Sequence, residues 1–291
     1  MSAASPRPLP TAAVVESTSR LAPDLVRLVL SAPDWSGFGD PSHADSYVKL
    51  VFLTPGVEYD RPIDPARIRA ERPAEHWPRM RTYTVRAFDR AAGTLTVDVV
   101  THGTQGLAGP WARSARPGDE VLIAGPGGGY DPDHGADWHL LAGDESALPA
   151  IAVALERMPA GARGAAFVEV AGPADEIALT APGGVAVRWL HRGSGVPGSA
   201  LVPAVRAWAL PPGSGHAFVH GEAAAVKELR RYLRVEHGLP MDRLSISGYW
   251  RAGADDEAWR SIKRAWNAEI EAAESAPAAD DHLTGRQAVA G

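Results

Sequence analysis

The pattern of apolar residues changes period between residues 126 and 137, and one sheet cannot satisfy both halves. Residues 11–126 carry short runs that alternate polar with apolar: a strand pair over 11–35, in which Leu25–Leu30 is the clearest run, then Tyr47–Phe52, Arg81–Phe88, Thr94–Val100 and Glu120–Ala124. Turn residues such as Ala91–Gly93 and Pro117-Gly118-Asp119 separate them. Alternation marks strands with one buried face, and about six of them in succession predict a small antiparallel barrel. From residue 137 the pattern changes: Trp138–Gly143 reads as a buried-type strand, and further strands follow over Ala165–Ala171, Val185–Leu190 and His216–His220. Helical segments are interleaved, at Ser146–Arg157, with Pro149 in its first turn, and at Glu222–His237, ending at Gly238. Strands alternating with helices predict a parallel α/β sheet. The expected fold class is therefore β + α/β, with a barrel domain over 11–126, an α/β domain over 137–275 and a flexible tail over 276–291. A loop rich in Pro and Arg is expected over about 55–80, a short helix over 105–115, and an amphipathic helix over Trp259–Glu274.

Composition removes several kinds of chemistry. The chain of 291 residues has no cysteine, which excludes disulfides, thiolate metal ligation, cluster ligation and a thiol nucleophile. A net charge of −6 without a long basic run argues against nucleic acid as a partner. No apolar run approaches membrane-spanning length and no signal segment is evident, so a cytoplasmic monomer without membrane insertion is expected. No metal site is expected.

Four segments carry candidate chemistry. In Arg81-Thr82-Tyr83-Thr84-Val85-Arg86, residues two apart share a strand face, so the Tyr83 ring and the Arg81 guanidinium can meet one ligand that has a flat ring and a phosphate. On its pattern alone this is equally an ordinary exposed strand. His102–Ala112 holds Gly103, Gly106 and Gly109, where the backbone can approach a ligand closely; read alone it is also an ordinary glycine-rich turn. Gly143-Asp144-Glu145-Ser146-Ala147-Leu148-Pro149 joins a buried strand to a helix start, a place suited to a dinucleotide pyrophosphate, though spacing alone favours plain capping by its acids. Gly248-Tyr249-Trp250-Arg251 sets two aromatics and a cation at a strand end, as either a site or a core plug.

Taken in order, these segments, with Tyr47-Val48-Lys49-Leu50 and Gly221-Glu222-Ala223, resemble the siderophore-interacting protein family, the ferric-siderophore reductases of the ferredoxin-reductase superfamily. The resemblance covers residues 11 to 270, and the Gly143–Ile151 and Gly248–Arg251 segments are its most specific parts. It implies that Arg81, Thr82, Tyr83, Thr84, His102, Gly106, Ala108 and Gly109 bind FAD. It implies that Asp144, Glu145, Ser146, Ala147, Gly221, Glu222 and Ala223 face NADPH or NADH, and that Tyr249 and Trp250 lie beside the flavin. Arg188 or Arg192 is a positional candidate for a 2′-phosphate, and Lys49 and Arg251 are expected to border an anionic ferric siderophore. Where the family shows Gly-Pro-Ala-Ser, this chain has Gly106-Leu107-Ala108-Gly109 and lacks the serine hydroxyl. The implied activity is NAD(P)H-dependent reduction of Fe(III)-siderophore with release of Fe(II), NADPH being favoured and ferredoxin an alternative donor. A flavin reductase that serves a partner oxygenase and a non-catalytic ferric-chelate binder are the competing expectations. Helix 259–274 is expected to fold over the nucleotide site.

Overall fold

A computed structural model of the protein describes residues 8–101 and 106–275. The expectations for His102 and for the tail at 276–291 lie outside the described residues. Six strands close into an antiparallel barrel: β1 (Thr11–Ala22), β2 (Leu25–Ser31), β3 (Tyr47–Phe52), β4 (Arg79–Asp89), β5 (Thr94–Val100) and β6 (Glu120–Gly127). Their order round the barrel is β1-β2-β5-β4-β3-β6, which leaves no open edge. The alternation seen in sequence becomes alternate burial: Leu28, Leu30, Val48, Leu50, Leu95 and Val97 point inward and are fully buried.

Five parallel strands follow: β7 (Trp138–Gly143), β8 (Arg163–Val170), β9 (Gly184–His191), β10 (Gly215–Glu222) and β11 (Leu244–Trp250). Their order is β11-β10-β7-β8-β9, so β11 is an edge. Every residue of β7 and β10 is buried, as their continuous apolar character requires. Helix α3 (Leu148–Arg157) lies between the sheet and the barrel, and its Glu156 carboxylate accepts two hydrogen bonds from Arg86 of β4 at 2.5 and 2.9 Å. Helices α4 (Leu201–Ala207) and α5 (Ala223–Arg231) cover the other face.

Four elements depart from expectation. The stretch over 55–80 contains helix α1 (Pro65–Glu71), because Asp64 caps it by accepting from the N–H groups of Ala66 and Arg67 while Pro65 fills a first-turn position. The helix expected over 105–115 is the shorter α2 (Ala108–Ser114). The long helix to His237 stops as α-helix at Arg231 and continues as a π-turn over Tyr232–Glu236. The last helix, α6 (Asp256–Ser275), starts three residues earlier than its apolar pattern suggests, because Asp255 caps it by accepting from the Ala258 N–H at 2.7 Å. Its buried residues Trp259 and Ile270, with the partly buried Trp266, face the rest of the protein, and Arg230 of α5 forks onto its Glu274 at 2.6 and 2.9 Å. Among the described residues no helix is long and apolar enough to cross a membrane.

Candidate functional site

The barrel and the C-terminal ends of the sheet strands face each other across a cleft of about 720 Å³. That volume lies in the range of ligand and cofactor pockets, and the ends of parallel strands are where α/β sheets bind them. One wall is β3 and β4, whose register sets Lys49 opposite Thr82 and Val48 opposite Tyr83. Lys49, Arg81, Thr82, Tyr83 and Thr84 all line the cleft. Burial pushes the Tyr83 phenol well above its ordinary range, so it remains a neutral donor. The other wall brings Asp144, Glu145 and Ser146 from the turn after β7, and Tyr249 and Trp250 from the end of β11.

The turn after β7 is tied down from several directions. Asp144 is 2% exposed and accepts from the Ser146 N–H at 2.9 Å, the Ser146 hydroxyl at 2.5 Å, the Glu222 N–H at 2.7 Å and the Trp250 Nε1–H at 2.8 Å. Gly221 has φ of +138°, and a Cβ there would fall 2.7 Å from an Asp144 carboxylate oxygen, so only glycine lets the two loops approach this closely. Asp144 is thus a structural tie as well as a wall residue.

Several expected site residues stand elsewhere. Ala147, Gly221, Glu222 and Ala223 are buried behind the cleft and do not line it. Glu222 is the cap of α5, accepting from Ala224 N–H at 2.6 Å and Ala225 N–H at 3.1 Å, and it also receives the Ala252 N–H at 3.2 Å. Arg192 donates to Glu145 at 2.6 Å, and Arg188 lies 5.2 Å from the Phe167 ring centroid, so neither reaches the cleft. Arg251 is exposed and outside the cleft. Gly106, at φ of +87°, Ala108 and Gly109 do not line it either.

In their place α6 brings residues that the sequence reading did not assign. Asp256, Trp259, Arg260 and Lys263 form a third wall. The start of α6 meets the barrel strand β4, and its Trp259, Arg260 and Lys263 share the cleft with the Asp144–Ser146 turn. Arg81 donates to both carboxylate oxygens of Glu257, at 2.5 and 2.8 Å, and lies 3.4 Å from Asp256. Arg260 donates to the Met80 carbonyl at 2.9 Å and to Asp256 at 2.8 Å. Burial draws the Glu257 carboxyl upward, but the hydrogen bonds from Arg81 outweigh it and hold the group below its ordinary value. The amphipathic pattern of residues 259–274 signalled the helix, but nothing in it signalled which strand the helix would cross. His220 and Ser247 complete the interior, with the His220 Nε2 2.9 Å from the Ser245 hydroxyl.

The cleft fits FAD on its own features. It has the volume, a partly buried tyrosine ring beside an arginine fork, and a buried donor, Trp259 Nε1, that has no acceptor. A closed antiparallel barrel facing the ends of a parallel sheet is the ferredoxin-reductase-like class of architecture. Within that class, a model of the siderophore-interacting FAD-binding domain matches residues 14–130 and one of the siderophore-interacting protein matches residues 136–253, and the chain belongs to the siderophore-interacting protein family. An uncharacterised protein of Mycobacterium tuberculosis is 48% identical over 271 residues, covering 89% of this chain and 95% of its own. The ferric vibriobactin reductase ViuB of Vibrio cholerae is 34% identical, over 81% of this chain and 87% of its own. The crystal structure of the siderophore-interacting protein SipS from Aeromonas hydrophila superposes with a TM-score of 0.77 at 30% identity, covering 90% of this chain and all of that one.

Proposed function

We propose that the protein is an FAD-containing oxidoreductase that takes electrons from NAD(P)H, NADPH in preference, and reduces Fe(III)-siderophore to release Fe(II) in the cytoplasm. The observation that carries this reading is the cleft itself, in which the Arg81–Thr84 strand, Lys49 and the Asp144–Ser146 turn share one space. The 34% identity to a ferric vibriobactin reductase supports the choice of substrate.

In this reading Tyr83, Arg81 and Thr84 would hold FAD, Tyr83 offering its ring to the isoalloxazine, Arg81 its guanidinium to the phosphates and Thr84 a hydroxyl beside the ring. Bound FAD supplies the conversion of a two-electron donor into one-electron transfers. One NADPH therefore reduces two ferric chelates, with NADP⁺, a proton and two Fe(II) as products. The chain needs no nucleophile. Hard oxygen donors hold Fe(II) far more weakly than Fe(III), so reduction releases the metal. Many ferric chelates are anionic and the chain carries −6 overall, so local cations must draw them in; Lys49 is the cleft cation assigned to that task.

The test is an absorbance spectrum of the purified protein, followed anaerobically by NADPH and then by a ferric siderophore. Flavin bands that bleach with NADPH and return with the chelate are the expected result. Bleaching only with reduced ferredoxin would replace the donor. A protein that cannot take up FAD would overturn the reading.

A further inference from the structure

Lys263 is half-buried in the cleft wall and makes no hydrogen bond or ion pair among the described residues. Arg260 precedes it by three positions and Trp259 by four, so on a helix the three side chains share one face. Trp259 is 2% exposed and its Nε1–H has no acceptor. Burial and the neighbouring Arg260 both push the Lys263 ammonium below its ordinary value, and the attraction of Asp256 offsets this only in part. Arg260 shares Asp256 at 2.8 Å, whereas the Lys263 ammonium and the Trp259 Nε1–H on the same side of the cleft have no acceptor within hydrogen-bond distance among the described residues. The row continues into Arg81, because Arg260 bonds the carbonyl of Met80 beside it. The segment Gly106-Leu107-Ala108-Gly109, which does not line the cleft, offers no side-chain donor to it.

Resting on the proposed function, we propose that Trp259, Arg260 and Lys263 of α6 form, together with Arg81, a binding subsite for the pyrophosphate of a dinucleotide held in the cleft. A pyrophosphate carries oxygens enough for several donors, and charge-assisted bonds to it exceed neutral ones. FAD and the nicotinamide dinucleotide share this group, and the experiment separates them.

Lys263→Gln and Arg260→Gln/Lys263→Gln are compared with the wild type in the full-length protein. Flavin-stripped samples are titrated with FAD and with riboflavin, and FAD-loaded samples with NADPH. A subsite for flavin pyrophosphate weakens FAD binding about tenfold in Lys263→Gln, leaves riboflavin unchanged and is restored by Lys263→Arg. A subsite for the nicotinamide dinucleotide weakens NADPH by a similar factor and leaves FAD unchanged. Unchanged affinity for both dinucleotides, or equal weakening of riboflavin, overturns the proposal. Inorganic pyrophosphate added to the wild type gives a measure free of the variants. It is expected to protect Lys263 from acetylation, read by mass spectrometry, and equal labelling with and without it overturns the proposal. If the wild type binds no flavin, the proposed function fails, and this protection alone decides the subsite.

Discussion

Arg81 is held by an acid in the position where a phosphate is proposed to sit. Its partner Glu257 is 47% exposed, and ion pairs of that kind contribute about 0–1 kcal/mol. Hydrogen bonds from a guanidinium to a phosphate are worth about 1.5–3 kcal/mol. The ligand therefore wins the exchange, and Glu257 swings into water at little cost. Glu257→Gln is expected to tighten FAD binding by up to about fivefold, since the competing charge of about 1 kcal/mol is gone. Arg81→Ala is expected to lower flavin occupancy. Both are read by quenching of flavin fluorescence, and weaker binding by Glu257→Gln would remove the competition from the account. The strand Arg81–Thr84 was legible because a period-2 pattern fixes which side chains share a face. The role of Glu257 was not, since its partner lies 176 residues away and neither pattern refers to the other.

Between elements, Asp144 joins the turn after β7 to the start of α5 and the end of β11. In sequence it read as a ligand contact or a cap, and both readings missed that its carboxylate reaches two other segments. Asp144→Ala strands the Glu222 N–H and the Trp250 Nε1–H without their acceptor, at about 1–3 kcal/mol each. Loss of at least about 2 kcal/mol in urea unfolding is the expected outcome, whereas a change below about 0.5 kcal/mol, typical of a surface site, would deny it the tie. The strands themselves were largely legible, since both periods survive as burial patterns in the barrel and the sheet. The helix Pro65–Glu71 was overlooked although Asp64-Pro65 carries a start signal, because the surrounding Pro and Arg residues obscured a segment of only seven residues. The crossing of α6 over β4 is a tertiary choice, made by Trp259 burying itself and by charges on two elements, and no local propensity encodes it.

The whole molecule keeps uncharged imidazole inside. Burial lowers His220 to about 3 and His139 to about 4, whereas the unfolded chain titrates near 6.5. With folded values below unfolded ones, the unfolded state binds the extra protons, so stability is lost as pH falls below about 6.5. Each such histidine contributes a slope of about 1.4 kcal/mol per pH unit until its folded value is reached. Buried carboxyls raised by burial, such as Glu145 and Glu169, act in the opposite sense over part of the same range. The comparison of wild type with His220→Gln cancels them. Denaturation from pH 6.5 to 4 is expected to give a shallower slope for the variant, and parallel slopes would place the His220 proton elsewhere.

The two ends of α6 are fastened unequally. At its start the Arg81–Glu257 pair is open to solvent on the acid's side, while at its end Arg230 and Glu274 are 8% and 12% exposed. Breaking a pair as buried as the second, by leaving one partner uncompensated, costs about 3–5 kcal/mol, against about 0–1 for an exposed one. Of the two charged fastenings, the one at the start can yield to a competing anion at small cost, and the one at the end keeps α6 on α5, while Trp259, 2% exposed, holds the first turn by burial alone.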